Sequence, residues 1–243
     1  MKVLIFGGTG EARDLAGRLS DHGHAVTTSL AGRTIAPLMP KGDVRIGGFG
    51  GIAALAGFLE TERFDWTIDA THPFAARMSQ QILVAAEQVK TPFLRLIRPG
   101  WQKPSNAQWI DVPDIPAAFT SVPRNAVVLV TSGHEGLTYC GQQKTSRFVV
   151  RLIEQPDIAL PDNTELLIAR PPYTFDGEVA LMRDYGITHM IAKNAGGMQT
   201  QAKIDAAAAL DIVTLMVRRP TLPAAREVSS VDQAFAVLQE GRP

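Results

Sequence analysis

The stretch Val3-Leu4-Ile5-Phe6-Gly7-Gly8-Thr9-Gly10-Glu11-Ala12 decides the fold: four apolar residues, a glycine turn, then Ala12, Leu15, Ala16 and Leu19 on one helical stripe. A buried strand that passes through glycines into a helix opens a βαβ unit. Its glycines let backbone N–H groups approach a phosphate at the positive end of the helix. Reading the turn as Gly8-x-Gly10-x-x places Arg13 where the dinucleotide fingerprint has its third glycine, so this register leaves the fingerprint incomplete.

Outward from this turn, apolar and β-branched runs at 25–30, 44–46, 66–70 and 92–97 read as further strands of a first half. Runs at 126–131, 148–153, 165–169, 188–192 and 212–217 read as strands of a second. Between them lie helical patterns: 52–59, then Met78, Ile82, Leu83 and Ala86, then 175–185 and 202–210. A last helix at 231–239 is opened by Ser230, with Gln233 at capping-box spacing. Segment 98–123 carries five prolines with Trp101 and Trp109 and reads as an interdomain region. Val128-Leu129-Val130-Thr131-Ser132-Gly133 repeats the pattern of the opening strand and turn. The expectation is an α/β protein of two Rossmann-like domains with mainly parallel sheets, 1–98 and 99–243.

Composition removes several classes of function. The chain has 243 residues, 24 Lys and Arg against 24 Asp and Glu, and 45% hydrophobic residues, enough for a substantial core. A neutral chain with no basic stretch gives no reason to expect nucleic acid. No apolar run approaches the roughly 20 residues that span a bilayer, and the N-terminus lacks a signal-peptide pattern. A cytoplasmic protein with no membrane partner and no obligatory protein partner is expected. One cysteine, Cys140, excludes an internal disulfide and an all-cysteine metal site, and the five histidines are scattered, so no metal is expected. There is no G-x-x-x-x-G-K-[ST], H-E-x-x-H or EF-hand loop.

The end of the second strand points to the cofactor. An NAD site places an acid there for the ribose 2′-OH, whereas Thr27-Thr28-Ser29-Leu30-Ala31-Gly32-Arg33 has none. Ser29 and Arg33 could instead hold a 2′-phosphate, which favours NADPH. Farther on, Asp69-Ala70-Thr71-His72-Pro73-Phe74-Ala75 puts a polar cluster at the carboxyl end of a strand, where α/β sheets bind ligands. His72 there either contacts the nicotinamide and relays a proton or, with Thr71, caps a helix starting at Pro73. Asp69 lies within the strand and reads as a structural hydrogen-bonding residue.

Gly8-Thr9-Gly10-Glu11-Ala12-Arg13 with Leu15-Ala16, the segment Asp69 to Ala75, Lys193-Asn194-Ala195-Gly196-Gly197 with Lys203, and Arg219-Pro220 together resemble the precorrin-6A reductase family of cobalamin biosynthesis. The resemblance implies an NADPH-dependent enzyme that reduces one double bond of the precorrin-6A macrocycle to give precorrin-6B, in a cleft between a dinucleotide-binding domain, 1–98, and a substrate domain, 99–243. Gly8, Thr9, Gly10, Glu11, Ala12, Ser29, Arg33 and Thr71 would then contact the cofactor. A tetrapyrrole with a fringe of carboxylates calls for scattered cations: Arg95, Arg98, Arg151, Arg170, Lys193 and Lys203 fall at strand ends or in adjoining loops, with Arg170, Lys193 and Lys203 the leading substrate contacts. His72, Tyr173, a bound water and the macrocycle's own nitrogens are the candidate proton donors. The segment Ala169-Arg170-Pro171-Pro172-Tyr173-Thr174-Phe175 is proline-rich where the resemblance leads one to expect glycine.

Two other readings suit the glycine turn. A short-chain dehydrogenase needs Lys four residues after a Tyr, but Tyr139, Tyr173 and Tyr185 are followed at that distance by Gln143, Gly177 and His189. A non-catalytic NADP-sensing module would bind the dinucleotide without turning over a tetrapyrrole.

Overall fold

The structure is a computed structural model that describes residues 1–32 and 36–241. In chain order the elements are β1 (Lys2–Phe6), α1 (Gly10–Asp21), β2 (Ala25–Leu30), β3 (Asp43–Ile46), α2 (Ile52–Glu62), β4 (Trp66–Asp69), α3 (Ala76–Gln88) and β5 (Phe93–Leu96). There follow β6 (Trp109–Val112), α4 (Ile115–Thr120), β7 (Val127–Val130), α5 (His134–Cys140), β8 (Arg147–Leu152), β9 (Thr164–Ile168) and α6 (Phe175–Asp184). The chain ends with β10 (His189–Lys193), α7 (Ala202–Ala209), β11 (Val213–Val217), β12 (Glu227–Val228) and α8 (Val231–Gln239).

These elements form two compact units, Met1–Pro99 with Pro220–Pro243, and Gly100–Arg219. Each holds one six-stranded sheet, β12-β5-β4-β1-β2-β3 in the first and β6-β11-β10-β7-β8-β9 in the second. Every pairing in both is parallel. Within each unit the strand order reverses beside the opening strand, between β1 and β4 and between β7 and β10, which is the doubly wound arrangement. The repeated strand-and-turn pattern therefore does mark two structurally equivalent openings.

The two sheets differ in where their sixth strand comes from. In the first it is β12, delivered after the chain has completed the second unit, and in the second it is β6, which precedes that unit's opening strand. This corrects the expected organisation in two places. Residues 220–243, assigned from sequence to the second domain, belong to the first unit, and the proline-rich segment from Gly100 onward is part of the second, carrying β6 and α4.

Burial explains why the tail returns. On one face of the first sheet Val3, Ile5, Leu15, Leu19 and Trp66 form a core with Ala234, Phe235 and Leu238 of α8. The other face is closed by Leu55, Leu59, Ile82 and Ala86 of α2 and α3 over Leu4 and Phe6. Helix α8 has the expected bounds, its Ser230 side chain accepting from the Gln233 N–H. The Gln233 side chain reaches back to the Ser229 N–H at 2.8 Å, one residue outside the usual partner of a capping box.

Candidate functional site

In the first unit the point of reversal brings together the β1–α1 turn and the end of β4. Gly8 sits at φ +108°, where a side chain would be strained, and nothing lies within 4 Å of the position a Cβ would take, so its face is open. Gly7 is pressed against β2: a Cβ there would meet Thr28 Cγ2 at 2.8 Å. Thr9 caps α1, accepting from the Ala12 N–H at 3.1 Å, and donates the same hydroxyl to the Ala70 carbonyl at 2.9 Å. The turn is thereby tied to the end of β4, with the Thr9 side chain committed to the fold. What Gly10 and Glu11 present is backbone N–H, unpaired within a first helical turn and at the positive end of the dipole. These groups fit a pyrophosphate.

Ala12, at 1% exposure, is the helix residue that packs on the strand, and the position of a Gly7 Cβ lies 3.5 Å from its Cβ. The fingerprint register therefore runs Gly7-x-Thr9-x-x-Ala12, with Ala12 rather than Arg13 in the third position, where alanine suits close packing. The Glu11 side chain is engaged by Arg98 at 2.7 Å.

At the end of β4, Asp69 is buried and accepts from four groups. Its Oδ1 receives the Thr71 N–H (3.2 Å) and hydroxyl (2.7 Å), and its Oδ2 receives the Ser79 hydroxyl and Arg95 Nε (3.3 Å). Arg95, also buried, donates Nη1 to the Pro223 carbonyl at 2.8 Å and to the Glu227 carboxylate. A cavity of about 10 Å³, room for one water, lies here among Asp69, Thr71, His72, Ser79, Arg95 and Leu222. The expectation that Thr71 and His72 cap a helix at Pro73 is overturned, since α3 begins at Ala76 with no side-chain cap. His72 instead stands exposed in a turn, its Nδ1 accepting from the Phe74 N–H at 3.3 Å, which in the neutral ring leaves the proton on Nε2.

Ser29 is buried at the end of β2, its carbonyl accepting from the Gly7 N–H. Arg33 lies outside the described residues. Arg45, paired with Ser29 across the β2–β3 register, holds the next turn through the Gly47 and Gly48 carbonyls (2.6 and 2.7 Å) and stacks 3.6 Å over Phe49.

In the second unit the reversal joins the ends of β7 and β10. Lys203, only 6% exposed although on α7, donates Nζ to Thr131 Oγ1 at 3.2 Å and lies 5.1 Å over the Trp101 ring. Trp101 and Asn194 exchange hydrogen bonds (2.8 and 3.3 Å), Trp101 Nε1 donates to the Gly197 carbonyl, and Arg219 fastens the Asn194 and Ala195 carbonyls. Lys193 ends β10 and meets Glu135 at 3.0 Å.

Comparison with known proteins places this pair of units. The model of the family described as precorrin-6x reductase CbiJ/CobK matches residues 2–239. The chain is 42% identical to the precorrin-6A reductase of Rhodococcus erythropolis over 97% of its own length and 96% of that protein's, and 42% identical to that of Mycobacterium tuberculosis over 95% and 93%. A solved structure, CobK precorrin-6A reductase, superposes with a TM-score of 0.94 at 36% identity, covering 99% of this chain and 96% of that one.

The chain belongs to the precorrin-6A reductase family. For a member of this family, several expected site residues are engaged by other groups of the chain. Tyr173 donates its hydroxyl to the Ala169 carbonyl at 3.0 Å under the Arg151 guanidinium, and burial pushes its pKa up. Arg151 forms a buried two-pronged pair with Glu178 at 2.7 and 2.8 Å, beside a cavity of about 280 Å³ that Tyr173, Thr174 and Leu181 help to line. Arg170 pairs with Glu154 at the surface at 2.7 Å. Lys193, at the end of β10, and Lys203, bonded to Thr131 after β7, are the cations at the second reversal, and the contacts described link neither Arg170 nor Tyr173 to them. Sequence reading did not anticipate Ser79, Arg45, Asn194 or Trp101 as site-building residues. Only Asn194, inside a quoted motif, carried any signal.

Proposed function

We propose that this protein reduces one double bond of the precorrin-6A macrocycle with NADPH, giving precorrin-6B in cobalamin biosynthesis. The observation that carries the reading is the open glycine turn at the sheet reversal, its helix-start N–H groups available to a pyrophosphate, in a chain that matches this reductase family along nearly its whole length. When bound, NADPH supplies a hydride from its nicotinamide ring.

The chain's own residues bind and orient. Gly8, Gly10 and Glu11 offer backbone N–H to the pyrophosphate, and Ser29 with Arg33 marks the 2′-phosphate end. Thr71 and His72 stand at the nicotinamide end. In the second unit Lys193 and Lys203 receive substrate carboxylates, Lys203 being held by Thr131 and the Trp101 ring so that little side-chain freedom is lost on binding. His72 is the proton donor we assign, acting from its imidazolium form with the Nδ1 bond to the Phe74 N–H released, because the Tyr173 hydroxyl is already engaged.

Mixing the purified protein with NADPH and precorrin-6A tests this. Cofactor should be oxidised one-for-one with a macrocycle heavier by two hydrogens. Oxidation without that mass change, or no oxidation beyond the protein-free rate, would overturn the proposal.

A further inference from the structure

The hydrogen bonds around Asp69 fix the direction of a single hydroxyl proton. An ionised carboxylate can only accept. With Asp69 Oδ1 at 2.7 Å from Thr71 Oγ1 and 3.2 Å from the Thr71 backbone nitrogen, the Thr71 hydroxyl must donate to it, and what Thr71 shows outward is lone pairs. Asp69 cannot rotate out of this role, because its other oxygen is gripped by Ser79 and by Arg95, whose guanidinium is in turn fixed by the Pro223 carbonyl and the Glu227 carboxylate. The side chains of Asp69 and Arg95 are each 2% exposed, whereas Thr71 is only partly buried at the sheet reversal. A buried pair of this kind is a poor source of stability, since apolar residues of similar volume often serve as well or better. It does give Thr71 a defined polarity.

We propose that Asp69 is a positioning residue that presents Thr71 Oγ1 as a hydrogen-bond acceptor for the carboxamide NH₂ of the nicotinamide, with Arg95 and the returning segment 220–228 holding Asp69 in place. This rests on the reading of the first unit as the NADPH site. It extends that reading by assigning the recognised group and the direction of the bond. The Asp69→Asn substitution reverses the polarity. Its amide oxygen is drawn to the Arg95 cation, so its NH₂ faces Thr71, and the hydroxyl then accepts and turns its own proton outward.

The test is equilibrium binding by calorimetry of NADP⁺ and of its 3-acetylpyridine analogue, in which a methyl replaces the carboxamide NH₂. A neutral hydrogen bond contributes about 0.5 to 1.5 kcal/mol, so the wild-type protein should bind the analogue roughly 2- to 12-fold more weakly. Asp69→Asn should bind NADP⁺ more weakly and lose that preference. A general loosening of the fold would weaken both ligands equally and leave the ratio intact. If Asp69→Asn does not fold, Thr71→Val, which keeps the shape and removes the acceptor, should abolish the preference in the same way. A wild-type protein without the preference, or a preference that survives in the folded variant, overturns this inference alone. Failure of the wild-type protein to bind NADP⁺ at all overturns the cofactor reading, and this inference with it.

Discussion

Tyr173 and Lys203 separate two kinds of polar residue. Burial raises the Tyr173 pKa, and its proton already serves the Ala169 carbonyl, so Tyr173→Phe should leave kcat within about 12-fold of wild type, the scale of one neutral hydrogen bond at most. A hundredfold fall in kcat would instead make Tyr173 the acid. Lys203→Met should weaken the tetrapyrrole by roughly 10- to 150-fold, the range for a bond to a charged group, while leaving NADP⁺ affinity unchanged. Titration of each ligand checks this. Cys140 gives a pH prediction. Desolvation raises its thiol from 9.0 to about 11, so the folded protein holds this proton where the unfolded chain has lost it. Its contribution to stability is full below pH 9.0 and disappears as pH rises toward 11. Urea midpoints measured across that interval should fall more steeply for wild type than for Cys140→Ala, and parallel slopes would refute the assignment. Native Cys140 should also resist alkylation near neutral pH, because the thiolate is the nucleophile.

Helix α8 shows what an element contributes beyond its own propensity. Ser230 caps it, and a cap typically contributes about 1 kcal/mol. Phe235 enters the first unit's core, 4.7 Å from the His22 ring and under the Arg18 guanidinium at 4.2 Å, and a buried Phe→Ala change costs about 3 to 5 kcal/mol. Phe235→Ala should therefore destabilise the first unit several times more than Ser230→Ala. Trp66 is the tryptophan of that unit, so its fluorescence in a Trp101→Phe, Trp109→Phe background reports this unit alone. Equal losses would mean that α8 is held by its cap rather than by the core. The same element shows which signals the sequence carries. Its cap and stripe are local, and its bounds were legible. Strand β12, of two residues, has no periodicity to read, and β6 lies among prolines; both are strands because a neighbouring edge, β5 or β11, hydrogen-bonds them. The glycine turn was legible in kind but ambiguous in register, since Gly7-Gly8-Thr9-Gly10 admits two alignments and only the packing of Ala12 chooses between them. The Asp69 cluster was half-legible: Asp69 read as a structural acceptor, but Ser79, Arg95 and Glu227 are ten, 26 and 158 residues away and carry no shared motif.

At the scale of the whole molecule, the source of each sixth strand makes the two units unequal as pieces of chain. Residues 100–219 are continuous and contain every strand of their own sheet, β6 included. The first unit is discontinuous: residues 1–99 lack β12, which covers the β5 edge, and α8, whose Ala234, Phe235 and Leu238 complete the core over Val3, Leu15 and Leu19. Without residues 220–241 that apolar face meets water, and Arg95 loses the Pro223 carbonyl and the Glu227 carboxylate while remaining beside Asp69. Each large apolar side chain of that face returned to water forfeits about 1.5 to 3 kcal/mol, and several together are comparable with the whole stability of a small domain. The fragment 100–219 made alone should therefore be folded, melting cooperatively with slowly exchanging amides in β7, β8, β10 and β11. Fragment 1–99 should be unfolded or aggregated, and fusing 220–241 to it through a short glycine-serine linker should restore a cooperative transition. NADP⁺ binding should follow the fused fragment and be absent from 100–219. A stable, cooperatively folded 1–99 would show that the returning segment only decorates the first unit, and a fragment 100–219 that fails to fold would show that the second depends on the first despite its continuous chain.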